Sequence, residues 1–477
     1  MHKIFNIRSL FANISLVVLL NFLVKPVWLL TEMVIQDEVG HEDWGLYSAL
    51  LSLGFLFIAL SDLGINQYST KTLASEPGLM RSYFPNLLTV KLFLAFTYPF
   101  LMLVIGWILG YEEEELYFLL VLCLVHGGNQ IMQFFRANFQ AMQRFKIDGL
   151  LSVFDRIVLL ILVGYLFYTE LNIQRFVYAR IVTTAFSVLV FYVLISRIYG
   201  WLKPRLELPL IKNVVKLSFS FAMMTVLYSL HDKVDQVMLE RLAGERENGL
   251  YVAAYRWLDA FSMYLWTVLP IFFARFAFYI KDLKEQEKLL HFGQVITALP
   301  MMFVSVFVFF YGEKLLFLFG QSTPAEIEIM RQCLVALFIA AFLNSIFAIF
   351  STLLTSTNHE GFINILIAIS IVINVVLNWI FIPEYGAIAS AWTTLVSYAF
   401  IDIAYVVYIH RKIDIKIPYL QMGTLFAVGG VLIGLFWGLS QTSLPWYITT
   451  IIAGAIYAGL CLGMRLISLE KLKSFKV

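Results

Sequence analysis

Charge is what this 477-residue sequence has least of. Asp, Glu, Lys and Arg make up 14% of it, against a hydrophobic share of 60% and a mean hydropathy of +0.82. A soluble domain carries about 25% charged residues, so folding in water is excluded. Cysteine is scarce as well: Cys123, Cys333 and Cys461 all lie in apolar stretches without CxxC spacing. That leaves neither a disulfide framework nor a thiol metal site. There is no GxxxxGK[ST] phosphate loop, no HExxH and no Cys/His cluster. ATP would have to come from a separate subunit, no cofactor or metal is expected, and the chain is not read as an enzyme. Asp232-Lys233-Val234-Asp235 is only loosely like the paired aspartates of glycosyltransferases and has no domain around it. The net charge of +2 is too small to suggest a nucleic-acid partner. Long loops are missing too: none exceeds roughly 20 residues, which disfavours a membrane glycan polymerase or ligase.

What is present is apolar sequence in blocks of roughly 20 residues, the length that crosses a ~30 Å hydrocarbon core as a helix. Fourteen spans are predicted, near 10–33, 47–66, 87–110, 116–136, 150–168, 176–199, 213–232, 249–272, 293–311, 331–355, 362–382, 387–409, 421–439 and 446–467. The fold class is an all-α integral membrane protein. The run from Leu10 to Met33 is too long for a cleavable signal, contains Lys25-Pro26 and lacks a small-x-small site, so it is taken as the first span. Of 34 Lys and Arg, six (Arg175, Lys233, Arg241, Arg246, Lys314, Arg331) fall on one side and five (Lys25, Lys91, Arg156, Arg180, Arg256) within spans. The rest, Arg136 and Lys146 among them, share the side of both termini, which are expected to be cytoplasmic. The acidic runs Asp37-Glu38 and Glu112 to Glu115 fall outside.

Gly45-Leu46-Tyr47-Ser48-Ala49 is echoed by Gly249-Leu250-Tyr251-Val252-Ala253, and Ala179-Arg180-Ile181-Val182-Thr183-Thr184 by Ala389-Ser390-Ala391-Trp392-Thr393-Thr394. The offsets are similar, which suggests two parallel six-helix repeats: an N-terminal lobe over 1–200 and a second over 201–416. In transporters built from such repeats the substrate site lies at the interface between them. Residues 417–477 remain as an appended, lipid-facing hairpin and tail. Gly430, Gly434 and Gly438 repeat there at four-residue spacing, a pattern that lets helices approach closely.

A charge at mid-bilayer costs about 2.5–3.5 kcal/mol on insertion scales, so a retained one faces a polar interior. Asn21, Lys25, Trp28 and Glu32 fall on one face of span 1. His126, Asn129, Gln130, Gln133 and Arg136 form a stripe on span 4, and Ser370, Asn374 and Asn378 one on span 11. Asp155 and Arg156 lie in span 5, Arg180 in span 6, and Arg256 and Asp259, three apart and able to pair, in span 8. Each has a bland alternative. Lys91 and Arg180 sit near helix ends and can snorkel. Asp155-Arg156 can tie helices together, His126 can be a satisfied interior histidine, and Asn374 with Asn378 can be interhelical glue. Lys25 and Arg256, deepest in the membrane, are the sharpest candidates.

Three segments carry a family resemblance: Leu60-Ser61-Asp62-Leu63-Gly64-Ile65-Asn66; Asp232 to Leu239 with Gly249 to Arg256; and Asn374 to Pro383 with Tyr385 to Ala391. The chain resembles the O-antigen and polysaccharide flippases (Wzx-like) of the multidrug/oligosaccharidyl-lipid/polysaccharide exporter superfamily. The resemblance implies two six-helix lobes in a V, working by alternating access in the bacterial inner membrane. It implies an undecaprenyl-diphosphate-linked oligosaccharide as substrate, for O-antigen or other lipopolysaccharide and polysaccharide assembly, with membrane lipid and other assembly proteins as partners. Lys25, Arg256, Arg156 and Arg180 are then candidate diphosphate contacts, and Asn21, His126 and Gln133 candidate sugar contacts. Asp62, Asp155, Asp259 and Asp402 are candidate coupling carboxylates. The alternative on the same fold is a cation-coupled drug or small-molecule antiporter, which would expect an acid-dominated cavity.

Overall fold

The computed structural model describes the backbone of residues 7–69, 80–142, 144–200, 205–464 and 466, with side chains from Leu23 onward except at 80–82, 145, 199, 220 and 274. The described residues are helical nearly throughout and contain no strand, as expected where lipid offers backbone groups no hydrogen-bond partner. In order the helices are α1 (Ile7–Val39), α2 (His41–Leu56), α3 (Met80–Ile108), α4 (Glu113–Ala141), α5 (Phe145–Thr169), α6 (Ile173–Tyr199) and α7 (Leu208–Ala243). Then come α8 (Glu245–Phe278), α9 (Leu283–Tyr311), α10 (Pro324–Ser356) and the helical stretch Glu360–Lys412. The last two are α13 (Tyr419–Ser440) and α14 (Trp446–Gly463). Glu360–Lys412 is two helices: Gly386 takes φ 53, ψ −134, outside helical space, and Ser370 Oγ donates to the Ser397 carbonyl at 3.4 Å. In a straight helix, residues that far apart in sequence would stand about 40 Å apart. The stretch is therefore a hairpin, α11 (360–385) and α12 (387–412).

Among the described residues ten helices are long and apolar enough to cross a membrane, or eleven with the bent pair Leu208–Phe219 and Phe221–Ala243 (46°) taken as one. The α11–α12 hairpin counts there once, and α1 and α2 fall outside the set. Span 2 departs from the continuous helix expected over 47–66. The α-helix stops at Leu56, a 3-10 turn runs over Ile58–Ser61, and Leu63 and Gly64 take φ 50 and 73. Gly64 is required there for a second reason, since a Cβ on it would lie 2.4 Å from the Ser218 carbonyl oxygen of α7. The acidic run at 112–115 is the start of α4, with Glu112 as N-cap and Glu115 closing a capping box; carboxylates there meet the positive end of the helix dipole.

The chain divides into two compact units, Met1–Gly249 and Leu250–Val477. In the first, α3 packs on α4, and α2 on α4 and α7. The first turn of α8 crosses α2 at the echoed glycines. A Cβ on Gly45 would lie 1.8 Å from the Glu245 carbonyl oxygen, and one on Gly249 2.0 Å from that of His41. Asn248 donates to the Gly45 carbonyl at 2.8 Å, and Gln36 to that of Gly249 at 2.7 Å. In the second unit α9 packs on α10, α10 on the α11–α12 hairpin, and α13 on α9 through Leu425, Val428, Leu432 and Phe436. The α13 glycine stripe is not a packing face here. A Cβ at Gly430, Gly434 or Gly438 would meet open space, and it is Gly429 that faces Met302.

Candidate functional site

Four helices of the first unit converge on one charged group: α1 packs on α5, α4 on α5 and α6, and α5 on α6. Lys25 and Glu32 stand two turns apart on α1 and share a face. Lys25 is half-buried, and the charges of Arg156 on α5 and Arg136 on α4, both of its own sign, act on it. It forms no ion pair among the described residues. Arg156 lies within electrostatic reach of Glu32, Asp155, Arg180 and Arg136. Arg180 feels Glu32 and Asp155, donates to Tyr47 Oη and lies 5.9 Å from the Tyr47 ring. Tyr47 is itself wedged between Trp44 and Phe176, with ring centroids at 4.8 and 5.5 Å.

Arg136, the last residue of the polar stripe on span 4, belongs to this group as well. Its Nε donates to Asp148 Oδ1 at 2.7 Å, and Gln140 Nε2 donates to Asp148 Oδ2 at 3.1 Å. Sequence reasoning missed Asp148, because it follows Arg136 across the break between α4 and α5, and only the packing of α5 against α4 brings the two together. Among the described residues four cations thus face three carboxylates, Glu32, Asp148 and Asp155. Asp155 and Ser187 lie beside one another, the Ser187 hydroxyl within reach of the Asp155 carboxylate. An unneutralised cation in a low-dielectric interior is costly, and like-charged neighbours add to that. An anion would neutralise such a group, and hydrogen-bonding side chains lie beside it.

Of the other predicted residues, His126 is buried with its Nε2 2.9 Å from the Leu51 carbonyl oxygen. Gln133 is exposed and lies 3.5 Å from Arg136 Nη1. The side chain of Asn21 lies outside the described residues. Lys91 does not snorkel: it is fully buried and its Nζ meets Asp62 Oδ1 at 2.5 Å, where α2 breaks. The break supplies the reason, for it turns Asp62 and the Ser61 carbonyl inward, and the latter accepts from Lys91 at 3.5 Å. In the second unit Arg256 is buried and Asp259 half-buried, each engaged with other groups. Asp402 is 2% exposed with Oδ2 unpartnered. Asn374 and Asn378 hydrogen-bond each other at 3.0 Å, and Thr393 donates to Asn378. No group of three or more His, Cys, Asp or Glu among the described residues could hold a metal.

Residues 10–273 match the model of a family described as polysaccharide biosynthesis protein. Among solved structures, the chain is similar to a lipid II flippase MurJ in an inward closed conformation (TM-score 0.74, 16% identity, 95% of this chain and 100% of that one). It is similar to an inward-facing multidrug resistance MATE transporter of the MOP superfamily (TM-score 0.66, 12% identity, 81% and 94%). It is also similar to the MATE multidrug transporter DinF-BH (TM-score 0.61, 15% identity, 86% and 98%). At these identities the likeness shows the transporter fold. No curated protein matches the chain.

Proposed function

We propose, from the premise that this chain belongs to the polysaccharide biosynthesis protein family, that it is a flippase for a lipid-linked oligosaccharide. The carrier is a prenyl diphosphate of the undecaprenyl kind, moved between leaflets of the bacterial inner membrane by alternating access of two lobes with both termini cytoplasmic. Lys25 carries this reading: a half-buried cation whose charged neighbours, Arg156 and Arg136, share its sign. A diphosphate neutralises such a group, and arginine forks give it bidentate hydrogen bonds. Asp155 and Ser187, side by side next to these cations, suit sugar hydroxyls. O-antigen assembly is the pathway class such a substrate serves.

The MATE likeness fits a drug antiporter equally well at the level of fold. An organic cation as cargo would be repelled by a site in which cations outnumber carboxylates, so the anionic substrate is preferred. The test is translocation of a fluorescent lipid-linked oligosaccharide in proteoliposomes. Lys25→Arg should keep activity and Lys25→Gln lose it while the protein stays folded. Full transport by Lys25→Gln, or efflux of a cationic dye in its place, sinks the reading.

A further inference from the structure

The group has an order along the helix axes. α4, α5 and α6 are joined by short turns and run alternately up and down, so Ala141, Phe145 and Tyr199 lie at one end of the group. At a rise of 1.5 Å per residue, Arg136 sits about 8 Å from that end, Arg156 about 17 Å and Arg180 about 29 Å. Lys25 lies within electrostatic reach of the first two of these, Arg136 and Arg156. The end nearest Arg136 is the one the Lys/Arg asymmetry assigns to the cytoplasm.

Arg136 is also presented in a particular way. Asp148, itself 5% exposed, holds it by Nε, the nitrogen nearest the chain, and Gln140 fixes the other oxygen of Asp148. Among the described residues the terminal nitrogens have a single contact, Nη1 to Gln133 at 3.5 Å. A guanidinium gripped at Nε keeps its outer fork available, which is the edge that binds phosphate bidentately. Had Asp148 taken the fork, the cation would have been sealed, as Lys91 is by Asp62.

We propose that Arg136 is the mouth of the anion site: held side-on by Asp148, it receives the incoming diphosphate first and passes it to Lys25 and Arg156. This rests on the diphosphate reading above and assigns Asp148 a positioning role. Three cations spaced along an axis steer an anion inward, and a steering cation acts mainly on the association rate.

The test passes farnesyl diphosphate over the immobilised, detergent-purified full chain and reads association and dissociation rates by surface plasmon resonance. Arg136→Gln should slow association about tenfold, flatten its salt dependence and change dissociation less than about twofold, whereas Lys25→Gln should speed dissociation. Asp148→Asn still offers Arg136 Nε an acceptor and should associate at least as fast as the parent, whereas Asp148→Ala should behave like Arg136→Gln. Should Arg136→Gln fold poorly, Arg136→Lys answers the same question: it should keep the fast association while losing preference for farnesyl diphosphate over farnesyl monophosphate. Unchanged association in a folded Arg136→Gln, equal losses in Asp148→Asn and Asp148→Ala, or slow association in a folded Arg136→Lys overturns the proposal while leaving the diphosphate site standing. A parent protein that does not bind the probe, or a Lys25→Gln that binds as the parent does, removes the site itself and the mouth with it.

Discussion

Lys25 and Lys91 are both lysines inside predicted spans, and the structure treats them in opposite ways. Lys91 is fully buried, sealed by Asp62 at 2.5 Å and backed by a main-chain carbonyl. Lys25 is half-buried with Arg156 and Arg136 as its charged neighbours. A buried cation is therefore not by itself a sign of a site. What separates the two is neutralisation: a closed pair needs nothing further, whereas a cation held against other cations is complete only with an anion. The Asn374–Asn378–Thr393 cluster of the α11–α12 hairpin is a third case, in which uncharged amides and a hydroxyl bond one another.

The largest effect is expected at the closed pair. Lys91→Met strands the Asp62 carboxylate in the interior and should cost about 3–5 kcal/mol of stability. The double variant Lys91→Met with Asp62→Leu should regain most of it, since apolar replacement of a whole buried pair is often neutral. Melting in detergent measures both. If the single variant melts as the parent does, the pair is not sealed, and the contrast with Lys25 collapses.

At Lys25 the expectation reverses. Removing one of several like charges relieves repulsion, so Lys25→Gln should melt at or slightly above the parent temperature. Its flipping rate in proteoliposomes should nonetheless fall at least tenfold, about 1.4 kcal/mol of lost transition-state stabilisation. A parallel loss of stability and transport would make Lys25 a structural residue of the Lys91 kind.

The hairpin should respond more weakly. Asn378→Ala removes the partner of Asn374, one turn away on α11, and of Thr393 on α12; a hydrogen bond between membrane helices is worth about 0.6 kcal/mol on average. A drop of about 1 kcal/mol with transport per folded molecule unchanged is expected. Loss of transport at full stability would move the hairpin from glue to site.

How much of this was legible beforehand follows from which patterns are local. Apolar blocks and the Lys/Arg bias depend on sequence alone, so the spans and the membrane class were readable, and Lys25, Arg156 and Arg180 stood out as charges that lipid would reject. The stripe on span 11 was legible as glue because its residues repeat every four positions. The break in span 2 was not, because Leu60-Ser61-Asp62 looks helical until the long-range Lys91–Asp62 pair and the close approach to Ser218 are known. Asp148 was invisible for the same reason: its partner, Arg136, lies on the preceding helix, and the packing of α5 against α4 decides that they meet. Charge type was readable, then, and charge pairing was not.

The smallest effect tests a pattern that misled. Gly430, Gly434 and Gly438 have the spacing of a close helix–helix contact, yet the face of α13 that packs on α9 carries Leu425, Val428, Leu432 and Phe436 instead. A Cβ at any of the three glycines meets no atom within 4 Å, so Gly434→Ala introduces no clash in this arrangement. Alanine is also favoured over glycine in a helix interior by about 1 kcal/mol in water, a margin that lipid, which already enforces helix, reduces. The variant should therefore melt within a few tenths of a kcal/mol of the parent or slightly above it, and flip at the parental rate. Gly45→Ala, placed against the Glu245 carbonyl at 1.8 Å, is the contrasting control and should be strongly destabilised. Should Gly434→Ala lose stability comparably, the stripe must be covered in the membrane by another helix, and chemical cross-linking between cysteines placed at 434 in separate copies would show whether that helix belongs to a second chain.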